Sequence, residues 1–188
     1  AVLAACRELA CRRAAGEALP ITASLRYENV GQAWGYGCYM VALEIDRDTG
    51  ELSITDAQCV DDTGLVVNPA MVEGQLRGGF AQGLGEALME TVVYDRDGQL
   101  LTGSFMDYAL PRAEDVPFFD FDSHSVPATT NLLGAKGCGE AGCAGALPSI
   151  MNAIVDALRP LGIDHVNMPA TPQVLWKMIR QAREAREA

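Results

Sequence analysis

Basic residues, long apolar runs and histidine are scarce in this chain, and each shortage argues against one class of function. Fourteen Lys and Arg face 25 Asp and Glu, a formal net charge of −11 that repels nucleic-acid phosphates and anionic lipid surfaces. No run approaches the ~18–20 consecutive apolar residues of a membrane-spanning helix. A charge within the first eight residues comes too early for a secretory signal. The sequence therefore predicts a cytoplasmic protein that neither binds nucleic acid nor inserts into membranes.

Recognisable metal-ligand patterns are also lacking. The two histidines have no partner at ligand spacing, and the six cysteines do not form paired C-x2-C motifs. Cys6 with Cys11, and Cys138 with Cys143, are each C-x4-C, which is only half of an iron–sulfur pattern. We expect free thiols that pack as small hydrophobic side chains.

What the chain does have is enough apolar sequence for one core. It has 188 residues, of which 49% are hydrophobic and 21% charged, as in a globular domain. An apolar repeat of three to four residues predicts an amphipathic helix within residues 1–20, followed by one segment over residues 21–188. Period-two alternation on both sides of Asp48-Thr49-Gly50 predicts a β-hairpin. A second short hairpin is expected from residues 91–94 and 100–101, and a further strand at residues 118–121.

Three further helices follow from apolar periodicity and from proline at their first turns. One begins at Asn68-Pro69 and runs to about residue 90, and another begins at Thr171-Pro172. The third ends near residue 158 and is expected to start near residues 145–147, because Pro148 is tolerated only in a first turn. The predicted fold class is α+β, with a mixed or antiparallel sheet built from hairpins and packed by three or four helices.

Five glycines lie inside the helix that begins at Pro69, where each is expected to cost about 0.5–1 kcal/mol against alanine. They are Gly74, Gly78, Gly79, Gly83 and Gly85. Two explanations are open at this stage. Either the helix crosses another element very closely, or a cofactor lies against the exposed backbone.

The segment GAKGCGEAG, residues 134–142, places Glu140 among four glycines just before a helix. It is not a nucleotide-phosphate loop, because Lys136 precedes most of the glycines and no Ser or Thr follows it. Glu140 suits a general base, and it equally suits a residue that caps the following helix or favours its dipole. The pair Asp61-Asp62, at a strand end, is expected to be a solvated turn.

Several of these motifs together resemble the C-terminal part of the molybdopterin-binding large subunit of the xanthine dehydrogenase, aldehyde oxidase and aerobic carbon monoxide dehydrogenase family. The matching runs are VEGQLRGGFAQGLG at residues 72–85, SFMDYALP at residues 104–111 and the loop at residues 134–142, in family order. By this resemblance Glu140 is the base that deprotonates a ligand of the molybdenum. The resemblance assigns cofactor contacts to Gln75 and to five further residues, namely Gly78, Gly79, Lys136, Gly137 and Gly139.

The resemblance implies hydroxylation of an N-heterocycle or an aldehyde with water as the oxygen source. Electrons would leave through iron–sulfur clusters and, in many members, through FAD on other subunits or domains. A complete large subunit is several times longer, so this segment is expected to need the remainder of that subunit and to hold no cofactor when isolated. Its uncovered apolar face predicts partner binding or self-association. The alternative is a non-catalytic scaffold that retains the fold.

Overall fold

The computed structural model describes residues 2–17, 26, 28 and 31–187, and the side chains of residues 2, 3, 5 and 187 are not described. The chain divides into two compact units, residues 1–30 and 31–188. In the first, α1 spans Val2–Ala14, which confirms a helix at the N-terminus, while residues 18–20 lie outside the described part. A domain boundary at residue 20 stays a prediction.

The second unit contains a three-stranded mixed sheet with strand order β1-β2-β3. The strands are β1 (Tyr36–Ile45), β2 (Leu52–Asp62) and β3 (Asp120–Ser123). β1 and β2 form the predicted antiparallel hairpin, whose turn is held by the Asp46 carboxylate accepting from the N–H groups of Asp48 and Thr49 at 2.7 and 3.0 Å. β3 pairs parallel to β2, which makes the sheet mixed.

The second predicted hairpin is reduced to one bridge between Tyr94 and Leu100, so the expectation of two strands there was wrong.

The helices that follow are α2 (Pro69–Leu88), α3 (Ala141–Leu158) and α4 (Pro172–Glu187), with a short 3-10 turn after α3. The predicted start of α2 is confirmed, because the Asn68 side chain accepts from the Met71 N–H at 3.2 Å. At α4 the Thr171 hydroxyl accepts from the Val174 N–H at 3.4 Å.

The predicted start of α3 near residues 145–147 was wrong, because the helix begins at Ala141 and contains Pro148 in its interior. Its early turns consist of small residues that pack closely on other elements. A Cβ on Gly142 would collide with the Leu76 carbonyl, and one on Gly145 with the Tyr39 ring. These contacts stabilise helical backbone upstream of the proline, at the loss of the one hydrogen bond that proline cannot donate.

The core lies where α2 and α3 cross and where α3 packs on β1, and buried residues of β2 and α4 complete it. Its largest fully buried side chains are Phe80, Leu76, Leu84, Ile150, Ile154, Leu175 and Ile179. Close packing explains three of the five glycines of α2. A Cβ on Gly79 would lie 2.9 Å from the Cys143 amide nitrogen, one on Gly83 3.0 Å from the Ala146 Cβ, and one on Gly85 2.7 Å from a Pro111 ring carbon. The other two, Gly74 and Gly78, have nothing within 4 Å of that position.

Among the described residues, one helical stretch, Ala141–Leu161, is long and apolar enough by composition to cross a membrane. It includes α3, whose residues Ile150, Ile154 and Leu158 are core residues of this unit. A core helix passes the same composition test, so this stretch gives only weak grounds for a membrane span.

The six cysteines are free thiols. The expectation that they pack as hydrophobic side chains holds fully only for Cys59, since Cys6, Cys11 and Cys38 are exposed. Burial raises the pKa of the Cys59 thiol to about 11.

Candidate functional site

The glycine-rich loop before α3 forms one wall of an open cleft of about 700 Å³. The opposite walls come from residues 33–37 and from the end of β2. Gly137, Gly139 and Glu140 all line this cleft, as do the neighbouring carboxyl groups of Asp61 and Asp62. The fold therefore presents Glu140 to a cleft that is large enough for a small molecule.

Glu140 occupies the N-cap position of α3, but its side chain makes no capping hydrogen bond. Its backbone carbonyl accepts from the Ala144 N–H at 2.9 Å, which is the ordinary first bond of a helix. The capping explanation for Glu140 is therefore wrong, although a carboxylate at this end still favours the helix dipole. The Glu140 side chain is exposed, and its carboxylate accepts no hydrogen bond within the described part of the chain.

The backbone beside Glu140 is unusually accessible. A Cβ on Gly137 would meet nothing within 4 Å, and one on Gly139 would meet only the Gln75 side-chain amide at 3.9 Å. Within the described chain, none of the N–H groups of residues 137–140 donates to a protein acceptor. The structure thus brings together Gln75, Gly137, Gly139 and Glu140, all of which the sequence singled out.

The exposed glycines of α2 extend this accessible backbone. Gly78 is one turn from Gln75, so the two residues share a face of the helix. Gly79 differs, because it lies beneath α3, and the absence of its side chain is explained by that helix crossing. A polycyclic group with many hydrogen-bonding atoms, such as a pterin, fits backbone of this kind, since no Cβ atoms hold it away.

Lys136 has a different environment from the one that the sequence suggested. Its ammonium contacts the Asp62 carboxylate, and the two side chains are 9% and 0% exposed. The ammonium also lies 5.5 Å from the centroid of the Tyr36 ring. The Lys136 ammonium is thus paired inside the protein.

The expectation of a solvated turn at Asp61-Asp62 was wrong, because each residue is only 2% exposed. Burial opposes ionisation of Asp62, but hydrogen bonds from Lys136 and from the N–H groups of Val126 and Gly64 outweigh it, so its pKa is lowered. Burial raises the pKa of Asp61, and a hydrogen bond from Tyr39 only partly offsets this.

Tyr39 is a cleft residue that the sequence did not identify. Its hydroxyl donates to the Asp61 carboxylate at 2.5 Å, and its ring lies against Gly145 of α3. Burial and the neighbouring carboxylate raise the pKa of this phenol well above its ordinary value. The period-two pattern of β1 gave the side of the sheet on which Tyr39 lies, but no local signal gave its partner, which is 22 positions away.

Across the residues that the structure describes, no group of three His, Cys, Asp or Glu side chains converges as a metal site would. The cleft thus offers backbone and carboxyl groups to a ligand, and the Gln75 amide lies beside it at Gly139.

Comparison with known proteins places this chain in a family. Residues 3–117 match the family model described as the molybdopterin cofactor-binding domain. The chain belongs to this family. It is 34% identical over 155 residues to the carbon monoxide dehydrogenase large chain of Hydrogenophaga pseudoflava, covering 82% of this chain and 19% of that protein. It is 37% identical over 147 residues to the nicotine 6-hydroxylase large subunit of Paenarthrobacter nicotinovorans, covering 78% and 18%.

Solved structures agree with the fold. A crystal structure of Cu,Mo-CO dehydrogenase superposes with a TM-score of 0.76 at 35% identity, over 79% of this chain and 19% of that one. Quinoline 2-oxidoreductase from Pseudomonas putida 86 gives a TM-score of 0.71 at 38% identity, over 74% and 18%. These likenesses confirm the α+β fold and the resemblance to the large subunits of molybdenum-dependent oxidoreductases. The chain spans about a fifth of the length of the relatives it matches.

Proposed function

We propose that this chain is the segment of a molybdenum hydroxylase that supplies the catalytic base, with Glu140 in that role. The reaction would oxidise an N-heterocycle or an aldehyde and take its oxygen from water. One observation carries the proposal: the Glu140 side chain lines the cleft beside bare backbone at Gly137 and Gly139 and has no capping partner. A carboxylate left unpaired in this position can accept a proton from a group bound next to it.

Molybdopterin would be held by Gln75, Gly78, Gly137 and Gly139. When bound, the molybdenum cofactor supplies the centre at which substrate is oxidised and electrons are accepted. The chain's own contribution is to place free N–H groups, an amide and a carboxylate around that centre. Lys136 and Gly79 would act within the protein, since one is ion-paired to Asp62 and the other is covered by α3.

The remaining four fifths of the subunit would complete the cofactor site, and iron–sulfur and FAD-containing subunits or domains would receive the electrons. Large apolar side chains on the surface support an obligate neighbour, among them Leu132 and Met106, which are 96% and 93% exposed. The cleft is open on one side, so we expect the isolated chain to retain no molybdopterin and to self-associate through these residues. Stoichiometric molybdenum in the purified chain would contradict the first expectation, and a monomer in light scattering the second.

The test of the base is Glu140→Gln in the chain co-assembled with the remainder of its large subunit and its electron-transfer partners. Aldehyde and N-heterocycle oxidation should fall by about 10²- to 10⁴-fold, the usual contribution of a general base. Molybdenum content and assembly should be unchanged, because the amide has the same shape as the carboxylate. Glu51→Gln, an exposed glutamate after the β1–β2 turn, is the matched control.

Activity that survives Glu140→Gln would remove this residue from the reaction. An assembly that forms normally but oxidises nothing, even with Glu140 present and molybdenum loaded, would favour the alternative of a non-catalytic scaffold.

A further inference from the structure

The loop that carries Glu140 is fixed by contacts at both of its ends, which we call its anchors. On its C-terminal side, α3 is fixed by close packing, since a Cβ on Gly142 would lie 2.9 Å from the Phe80 amide nitrogen. On its N-terminal side lies Lys136. Between the two, the N–H groups of residues 137–140 make no hydrogen bond within the described chain. The Glu140 carbonyl is held by the Ala144 N–H at 2.9 Å, so the N-terminal anchor controls the path of residues 137–139 and, through it, the orientation in which the loop delivers Glu140.

That anchor is centred on the Asp62 carboxylate, which joins three segments of the chain. One oxygen accepts from the N–H groups of Gly64 and Val126, both at 2.9 Å, and the other contacts the Lys136 ammonium. In addition, the Lys136 N–H donates to the Thr63 carbonyl at 3.0 Å. The carboxylate thus connects the end of β2 and the irregular segment that follows β3 to the start of the loop that carries Glu140.

We propose that Asp62 and Lys136 are a positioning pair, which fixes the start of the loop and through it the carboxylate of Glu140. A buried ion pair is a weak source of net stability, because desolvation offsets most of its Coulomb energy. It is, however, directional, and an apolar pair in its place would allow the flexible glycine loop to shift. This assignment rests on the proposed role of Glu140, and it gives Lys136 a role apart from cofactor binding.

The loop contains its own reporter. Cys138 is half-buried and two residues from Glu140, whereas Cys59 is buried in β2. The alkylation rate of Cys138 reports movement of the loop, and that of Cys59 reports opening of the whole domain. Peptide mass spectrometry after timed iodoacetamide exposure measures both thiols in one sample and needs no cofactor.

Lys136→Met should raise the alkylation rate of Cys138 at least about fivefold more than it raises that of Cys59, because loss of the pair lowers the stability of the whole domain and in addition frees the loop locally. Lys136→Arg should restore slow labelling, since it keeps the charge. The matched control is Lys177→Met, which removes the other lysine of the sequence from an exposed position on α4. If Lys136→Met does not fold, Lys136→Met combined with Asp62→Asn leaves no charge unpaired and is measured in the same way.

In the co-assembled enzyme, Lys136→Met should lower kcat by about 10- to 100-fold with less than a twofold change in KM, as expected when a reacting group is displaced by about 1 Å. Molybdenum content should not change. An unchanged Cys138 rate, or a Cys59 rate that rises in parallel with it, would overturn the positioning role. If Glu140→Gln leaves activity intact, the proposed base is wrong, yet the thiol measurement still decides whether the pair holds the loop.

Discussion

The same substitution, aspartate to asparagine, should change the stability of the protein far more at Asp62 than at the adjacent Asp61. Both residues are 2% exposed, but Asp62 is paired with a buried ammonium, whereas Asp61 receives one hydrogen bond from a phenol. Replacing aspartate by asparagine keeps the shape and removes the charge. The difference between the two variants therefore measures the pairing rather than the packing.

For Asp62→Asn we expect a loss of about 3–5 kcal/mol in the free energy of unfolding, because the Lys136 ammonium is left buried without its counter-charge. The asparagine oxygen can still accept from Gly64 and Val126, so the loss falls on the ion pair. For Asp61→Asn we expect a change within about 1 kcal/mol, since a neutral amide avoids the desolvation of a buried charge and still accepts from the Tyr39 hydroxyl.

Urea denaturation of the chain followed by circular dichroism resolves this difference. With a slope of roughly 2 kcal/mol per molar urea, the midpoint of Asp62→Asn should fall by about 1.5–2.5 M and that of Asp61→Asn by less than about 0.5 M. The reasoning is refuted if the two variants lose equal stability at pH 7.

The contributions of Asp61 and Asp62 to the free energy of unfolding should change with pH in opposite directions. The pKa of Asp62 is lowered from 3.8 in the folded state, so its contribution is fully present above about pH 4 and is lost as the pH falls through the folded value. The pKa of Asp61 is raised from 3.8, so folding is favoured by its protonation and the native protein gains relative to Asp61→Asn as the pH falls toward 4. The difference in the free energy of unfolding between Asp61→Asn and Asp62→Asn should therefore be smallest at acid pH.

Three further predictions concern single side chains. Gly78→Ala should stabilise the isolated chain by about 0.5–1 kcal/mol in urea denaturation, because its Cβ meets open space in a helix, yet it should lower the molybdenum content of the co-assembled enzyme. Gly145→Ala should destabilise the chain by about 1–3 kcal/mol in the same assay, since its Cβ collides with the Tyr39 ring, and equal stability would show that the ring moves freely. Asn68→Ala should cost about 1 kcal/mol by loss of the cap, with Asn68→Asp as the variant that restores it.

Local signals in the sequence predicted the elements that local chemistry determines. The β1–β2 hairpin follows from alternation around a turn, and the start of α2 from a capping Asn before a proline, and both are confirmed. The start of α3 was predicted wrongly because a proline such as Pro148, judged from its neighbours in sequence alone, indicates the first turn of a helix. Contacts with distant parts of the chain, Gly142 on α2 and Gly145 on Tyr39, stabilise the two earlier turns instead.

The same distinction between local sequence signals and distant contacts applies to the candidate site. Glu140 and the glycines around it lie within a few positions of each other, so their unusual composition was visible before the structure. Asp62 and Lys136 are 74 positions apart, and each by itself looks like an ordinary surface charge. Only the fold shows that the Asp62 carboxylate joins the end of β2 to the loop that carries Glu140. If the positioning role is correct, segments that share this fold should need some rigid connection at this point even where neither charge is present, because a glycine loop cannot fix a carboxylate by itself.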